Sequence, residues 1–115
     1  MIMLNINVST TTTAHRCYQL LDAEGFLIDP YDWSPAFTEA RAAERQLELT
    51  EKHWQLISLI RHKYLILGAI PPMRSVCKAI GFEKHELKEQ FGSCLDIWRL
   101  AGLPYPGEEA KTYMS

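Results

Sequence analysis

Cysteine is scarce in this chain, whose 115 residues include only Cys17, Cys77 and Cys94. Three thiols cannot all pair with one another, and their spacing matches neither a CxxC pair nor a zinc-ligand pattern. A disulfide framework is therefore not indicated, and a reducing cytoplasmic location is the simplest interpretation. The opening stretch MIMLNINVSTTTT carries no early positive charge, so it does not have the character of a signal peptide.

Long hydrophobic runs and catalytic motifs are also missing. The most apolar stretch, residues 54–70, is interrupted by Arg61, His62 and Lys63, which argues against a membrane span. The sequence contains no P-loop, no GxGxxG motif, no Ser-His-Asp arrangement and no histidine spacing typical of a metal site. We therefore predict a protein without metal, cofactor or membrane association, and one that is not a self-sufficient enzyme.

The composition that remains is that of one globular domain, residues 1–115. Hydrophobic residues make up 47% and charged residues 23%, a balance that allows a buried core. The net charge of −2 gives no bulk attraction to nucleic acid or membranes. The charges are uneven, however, because residues 61–99 contain seven Lys or Arg against four Asp or Glu, whereas residues 1–60 contain four against eight. The C-terminal half is thus mildly basic.

Local patterns predict a mostly α fold of the α+β type, beginning with a hairpin. After an N-terminal extension, residues 1–15, the β-prone runs RCYQL and FLI flank LDAEG. Asp22 and Gly25 in that segment provide turn chemistry. Residues 16–30 are therefore predicted to form a β-hairpin.

Capping residues mark a compact helical bundle over residues 34–101. Ser34 followed by Pro35 opens a helix. Thr50 caps the next helix, with His53 in the place of a capping-box Glu, and Gly68 ends it. Three shorter helices are predicted within PMRSVCKAI, EKHELKEQF and CLDIWRLA.

The last stretch, AGLPYPGEEAKTYMS, predicts an extended C-terminal arm over residues 102–115. Gly102 can take the left-handed conformation that ends a helix. Pro104 and Pro106 hold the residues before them extended. The tail beyond them is polar.

Four segments in this order resemble the DsrC/TusE family, which comprises gamma-subunit-like proteins of dissimilatory sulfite reductase and their sulfur-relay relatives. They are LDAEGFLIDPYDW (residues 21–33), LELTEKHWQLISLIRHKY (47–64), PPMRSVCKAIG (71–81) and RLAGLPYP (99–106). The resemblance implies a small, mostly helical protein with an N-terminal hairpin and a mobile arm. It further implies an arm cysteine that carries sulfur as a persulfide, for tRNA thiolation or for sulfite and sulfur metabolism.

The sequence departs from that family pattern where the family has its thiols. Counted from Gly102, the carrier cysteine would fall at or near Glu109. In the dissimilatory branch a second cysteine precedes the segment that begins here at Arg99, and this chain has Trp98 there. A carboxylate cannot hold a persulfide, so sulfur transfer through the arm is not expected.

Other residues could carry a function in place of the arm thiol. Cys94 follows Ser93 at a predicted helix start, where backbone N–H groups would lower a thiol pKa; the alternative is a small buried core residue. Arg74 and Lys78 share one helix face, which the resemblance implies as a region that partners contact; the alternative is a solvated charged face. The predicted partner-binding residues are Arg74, Lys78, Trp98, Gly102, Pro104 and Pro106.

The segment PMRSVCKAIGFEKHELKEQF has the helix, glycine turn and helix of a helix-turn-helix. Lys84, His85 and Lys88 on its second helix could contact phosphates, although three glutamates beside them would oppose this. Three hypotheses therefore stand: an adaptor or regulator of sulfur-relay or sulfite-reductase-type proteins, a DNA-binding regulator, and a sulfur carrier that uses Cys94.

Overall fold

The computed structural model describes residues 20–115, which contain six α-helices and one short 3₁₀ turn. The 3₁₀ turn spans Pro30–Asp32. The helices are α1 (Pro35–Glu44), α2 (Glu51–Leu67), α3 (Met73–Ile80), α4 (Lys84–Gln90), α5 (Cys94–Leu100) and α6 (Glu108–Met114). The prediction of a mostly helical body is confirmed.

The predicted β-hairpin is not supported. Residues 16–19 lie outside the described range, and the remaining residues form a tight turn with a single antiparallel bridge between Leu21 and Leu27. The Asp22 side chain accepts the backbone N–H groups of Glu24 and Phe26, each at 2.9 Å, and Gly25 has a φ of +87°. The turn chemistry predicted from Asp22 and Gly25 is therefore present, but no strand extends from the turn within residues 20–115.

Helix α2 begins at the predicted capping box. The Thr50 side chain accepts the N–H of His53 at 3.4 Å, and Nδ1 of His53 accepts the N–H of Thr50 at 2.9 Å. Because Nδ1 is an acceptor, Nε2 carries the proton and donates to Oε1 of Gln90 at 2.6 Å. His53 thus caps α2 and also ties it to the end of α4. Gly68 ends α2 with a φ of +70°.

The core forms around α2. Leu56, Ile57 and Ile60 of this helix are at most 1% exposed and belong to a buried cluster that includes residues of every other helix. The last turn of α2 lies outside this core, because Ile66 and Leu67 are 70% and 68% exposed.

The C-terminal segment is not the extended arm that the sequence predicted. Residues 103–107 are non-helical, but α6 follows them and contacts α5. Met114 is 4% exposed and Ala110, one turn before it, also packs on the core. Lys111 forms an ion pair with Glu24. Two apolar residues on one face make a weak sequence signal, so the docking of this helix is a tertiary effect.

Candidate functional site

A cleft of about 400 Å³ lies where α3, α4 and the end of α6 meet. Arg74 and Lys78 of α3 line it, as do Lys84 and Lys88 of α4. Each pair is spaced i, i+4, so both helices turn a basic face toward the same space. The structure therefore brings together Arg74 and Lys78, predicted from the sequence to bind a partner, and Lys84 and Lys88, considered for contacts with nucleic-acid phosphates.

The interior of the cleft is apolar. Phe82 and Leu87 line it and are 4% and 8% exposed, and Met114 of α6 lines it at 4% exposed. Tyr113 and Ser115, on either side of Met114, are exposed and complete the wall on the tail side. Sequence reasoning missed the tail residues, because nothing in the pattern placed the tail against α3 and α4.

The four basic side chains of the cleft have no partner carboxylate in the part of the chain that is described. The ion pairs within residues 20–115 join other side chains, and none involves these four cations. Glu83 is the one acidic residue on the cleft wall. Glu86, on the same helix, instead lies 3.7 Å from Lys52. The cleft therefore has an excess of positive charge.

Cys94 lies on the wall of this cleft as the first residue of α5. The predicted cap is present, since the Ser93 hydroxyl accepts the Asp96 N–H at 3.2 Å. The thiol is half-buried, and burial raises its pKa, whereas the positive charge of Arg74 lowers it. We expected the helix start to lower this pKa; the loss of hydration outweighs any such effect.

Cys77, on α3, is fully buried. Burial raises the pKa of its thiol to about 12, and the neighbouring Cys94 adds to the shift. A thiol that stays protonated in this way is a poor nucleophile. Cys77 therefore serves as a core residue in this fold.

The base of the tail is fixed by a buried arginine. Nη1 of Arg61 donates to the carbonyl oxygens of Ala101 and Gly102 at 3.0 and 2.9 Å, and Nη2 donates to that of Pro30 at 2.8 Å. The guanidinium carbon lies 4.2 Å from the ring centroid of Trp33. Burial lowers the pKa of Arg61 to about 10. The sequence had marked Arg61 only as an interruption of an apolar run.

The predicted partner-binding residues of the tail base differ in accessibility. Trp98 is fully buried, and its indole N–H donates to the carbonyl oxygen of Pro104 at 2.6 Å. Gly102 is also buried, and a Cβ there would lie 2.2 Å from Cδ1 of Trp33. Pro104 and Pro106 are partly exposed. Trp98 and Gly102 thus hold the tail base from inside, and the two prolines remain open to a partner.

The predicted helix-turn-helix segment is formed by α3, a left-handed Gly81 and α4. Lys84 and Lys88, however, line a concave cleft that the tail also lines, whereas His85 is exposed outside it. A recognition helix must protrude to enter a DNA groove. The geometry therefore does not favour DNA binding by α4.

Residues 20–115 contain no group of three or more His, Cys, Asp or Glu side chains placed to hold a metal ion. None of the described helices combines the length and apolar character needed to cross a membrane.

Comparisons with known proteins give a consistent result. A family model described as "DsrC like protein" matches residues 14–108. The sulfurtransferase TusE of Salmonella paratyphi A is 32% identical over 94 residues, which cover 74% of this chain and 86% of that protein. The sulfurtransferase TusE of Sodalis glossinidius is 34% identical over 94 residues, which cover 74% and 87%.

The fold is similar to a solved structure as well. The NMR structure of Allochromatium vinosum DsrC aligns with a TM-score of 0.64 and 33% sequence identity. The alignment covers 76% of this chain and 86% of that one.

Proposed function

The chain belongs to the DsrC-like protein family, and we propose that it is a non-catalytic adaptor or regulator that docks on sulfur-relay or sulfite-reductase-type partners. Its relatives include proteins named sulfurtransferases. The family resemblance places the sulfur-carrying thiol at or near Glu109, and the sequence has no cysteine after Cys94. A carboxylate forms no S–S bond, so the protein would occupy a partner without delivering sulfur through its tail.

The position of Glu109 is the observation that carries the proposal. Glu109 lies in the first turn of α6, and that helix contacts α5 and buries Met114 in the core. A carrier arm needs an exposed thiol on a segment that can reach a second protein. This tail has no thiol, and Met114 and the Lys111–Glu24 ion pair hold its helix against the body. Pro104 and Pro106 are partly exposed, and Arg74 and Lys78 of α3 are exposed, so these residues are accessible for docking.

A competition assay tests the proposal. The TusE protein of Salmonella paratyphi A is loaded with sulfur by a protein persulfide donor, and this chain is added in increasing excess. We expect loading of TusE to slow while the intact mass of this chain stays unchanged. An unchanged rate of TusE loading at large excess would show that the two proteins share no partner site.

Paired variants of the chain locate the docking face. Replacement of Arg74 and Lys78 together by Ala should weaken the competition, because both side chains are exposed and free of ion pairs within residues 20–115. Lys63→Ala removes one cation from α2, outside the cleft, and should compete like the parent chain. Equal competition by all three proteins would place the docking face elsewhere.

Sulfur transfer through Cys94 is the second candidate, because this half-buried thiol lies in the same cleft near Arg74. A persulfide donor would transfer its terminal sulfur to the Cys94 thiolate and keep its own thiol, so no external oxidant is required. The raised pKa of Cys94 lowers the thiolate fraction and weighs against this role. Gain of one sulfur in the parent chain, lost in Cys94→Ser, would favour the carrier over the adaptor.

A further inference from the structure

We propose that the cleft lined by Arg74, Lys78, Lys84 and Lys88 binds an acidic peptide segment of a partner protein, with an apolar side chain of that segment against the cleft interior. The inference deepens the proposed function by naming the chemistry of the docking segment, and it rests on that function for the existence of a protein partner. It also includes two residues, Lys84 and Lys88, that the adaptor proposal does not use.

The charge of the cleft favours an acidic ligand. Four cationic side chains line a space of about 400 Å³, and Glu83 is the one acidic side chain among the residues that line it. None of the four is neutralised by an ion pair within residues 20–115. Concave surfaces lined by one sign of charge focus the field and attract the opposite charge. Arg74 also acts on the Cys94 thiol of the cleft wall, because its positive charge lowers the pKa of that thiol.

The acidic side chains of α4, Glu86 and Glu89, lie outside the lining of the cleft. Glu86 faces Lys52 and accepts the N–H of Glu83 at 3.0 Å, and it does not line the cleft. Glu89 is exposed and also lies outside the cleft lining. The acidic side of α4 and its basic side thus face different surroundings.

The apolar interior distinguishes a peptide from a bare anion or a nucleic-acid backbone. Phe82, Leu87 and Met114 offer an apolar surface below the basic rim. A phosphate or sulfate ion would contact only the rim, and so would the backbone of a duplex. A peptide with an aromatic or aliphatic residue between Asp or Glu residues would contact both the basic rim and the apolar interior. The cleft volume of about 400 Å³ suits one or two such apolar side chains.

The tail of the protein supplies a precedent for polypeptide at this place. Tyr113, Met114 and Ser115 form one wall of the cleft. The Met114 side chain of this wall is buried in the core. Main chain can therefore approach α3 and α4 closely with an apolar side chain inserted. The exposed Tyr113 is available to pack against an incoming segment.

The test is a binding titration of the full chain with a fluorescent peptide, blocked at both ends, in which Glu and Asp flank a central Phe. A matched peptide carries Gln and Asn in place of Glu and Asp, and a third has Ala in place of Phe. We expect the acidic peptide to bind, the amide peptide to bind about tenfold more weakly, and affinity to fall as salt is added. The Ala peptide should also lose affinity, because the cleft interior stays unfilled.

Variants of the protein assign the binding to the cleft. Replacement of Lys84 and Lys88 together by Ala should lower the affinity for the acidic peptide about tenfold, whereas Lys63→Ala should leave that affinity unchanged. Both cleft lysines are exposed, so the fold should be retained, and circular dichroism of each variant verifies this. Equal binding of the acidic and amide peptides, or an equal loss in Lys63→Ala, would overturn the proposal.

Two further outcomes separate this inference from others. Tighter binding of a short DNA or RNA duplex than of the peptide, lost in the Lys84 and Lys88 double variant, would make the cleft a nucleic-acid site and overturn the peptide proposal. If this chain competes with TusE but binds no peptide, the peptide inference is wrong and the adaptor function is supported. Peptide binding without that competition supports the cleft site and shows that this chain does not share the partner that loads TusE with sulfur.

Discussion

The indole N–H of Trp98 donates a 2.6 Å hydrogen bond to the carbonyl oxygen of Pro104 and so ties the end of α5 to the base of the tail. The family resemblance places a second thiol at this position in the dissimilatory branch. A thiol there could form a disulfide with an arm cysteine, whereas the indole holds the tail base without redox chemistry. In this chain, residue 98 therefore links the body to the tail through a hydrogen bond and not through a disulfide.

Trp98→Phe should loosen the tail. The replacement leaves the Pro104 carbonyl without its donor and opens a gap in the core, so we expect the free energy of unfolding to fall by about 2 kcal/mol. Hydrogen exchange of the backbone amides in residues 103–115 should become faster. Trp54→Phe is the control, since Trp54 is partly exposed and its indole N–H has no hydrogen-bond partner within residues 20–115. Unchanged exchange in the tail would contradict this role of Trp98.

Gly102→Ala should be far more damaging than Gly68→Ala. Both glycines have a φ of +70°, so the backbone cost of alanine is the same, about 1 to 2 kcal/mol. A Cβ at Gly102 would meet Cδ1 of Trp33 at 2.2 Å, whereas one at Gly68 meets nothing within 4 Å. Chemical denaturation should therefore show an extra loss of roughly 2 kcal/mol or more for Gly102→Ala. Equal losses would mean that Trp33 moves aside freely.

Removal of the charge at Arg74 should slow the alkylation of Cys94. The positive charge favours the thiolate, so Arg74→Ala should raise the thiol pKa further and lower the rate at mildly alkaline pH by roughly two- to threefold. Arg74→Lys keeps the charge and should restore most of the rate. Site-resolved mass spectrometry follows each cysteine separately. A rate that is the same in all three proteins would show that Arg74 has no influence on Cys94.

Stability should fall at alkaline pH because of Cys77. The folded thiol stays protonated up to a pKa of about 12, whereas in the unfolded chain it ionises near the ordinary value of 9.0. Between these values the unfolded state binds fewer protons, so the free energy of unfolding decreases as pH rises, by up to about 1.4 kcal/mol per pH unit. Cys77→Ala should show a shallower decrease, because the other titrating groups are common to both proteins. Parallel curves for the two proteins would contradict the assignment.

The helical body could be predicted from the sequence because its signals are local. Gly68 and Gly81 end α2 and α3 where predicted, and the Thr50–His53 box begins α2. The hairpin prediction failed because turn chemistry at Asp22 and Gly25 specifies a turn and not the pairing of strands beyond it. The tail was predicted to be extended because Ala110 and Met114 stabilise a helix only once α5 supplies a surface for them.

The candidate site was predicted in fragments. The i, i+4 spacings of Arg74 with Lys78 and of Lys84 with Lys88 marked two basic helix faces, and the resemblance marked the first as a contact region. That both faces line one cleft depends on the angle between α3 and α4 and on the position of α6. No pattern along the chain encodes that angle.

The sequence by itself determined the family, the helical body and the absence of a thiol where the family's carrier cysteine is expected, because each depends on residue identity and local spacing. Only the tertiary structure decided the environment of each group. In the folded protein Trp98 and Arg61 are buried and support the base of the tail. Burial raises the pKa of Cys94 although a helix begins there, and four cations surround an apolar cleft. Burial, desolvation and the meeting of distant charges arise from packing between segments, and their magnitudes are fixed only when those segments come together.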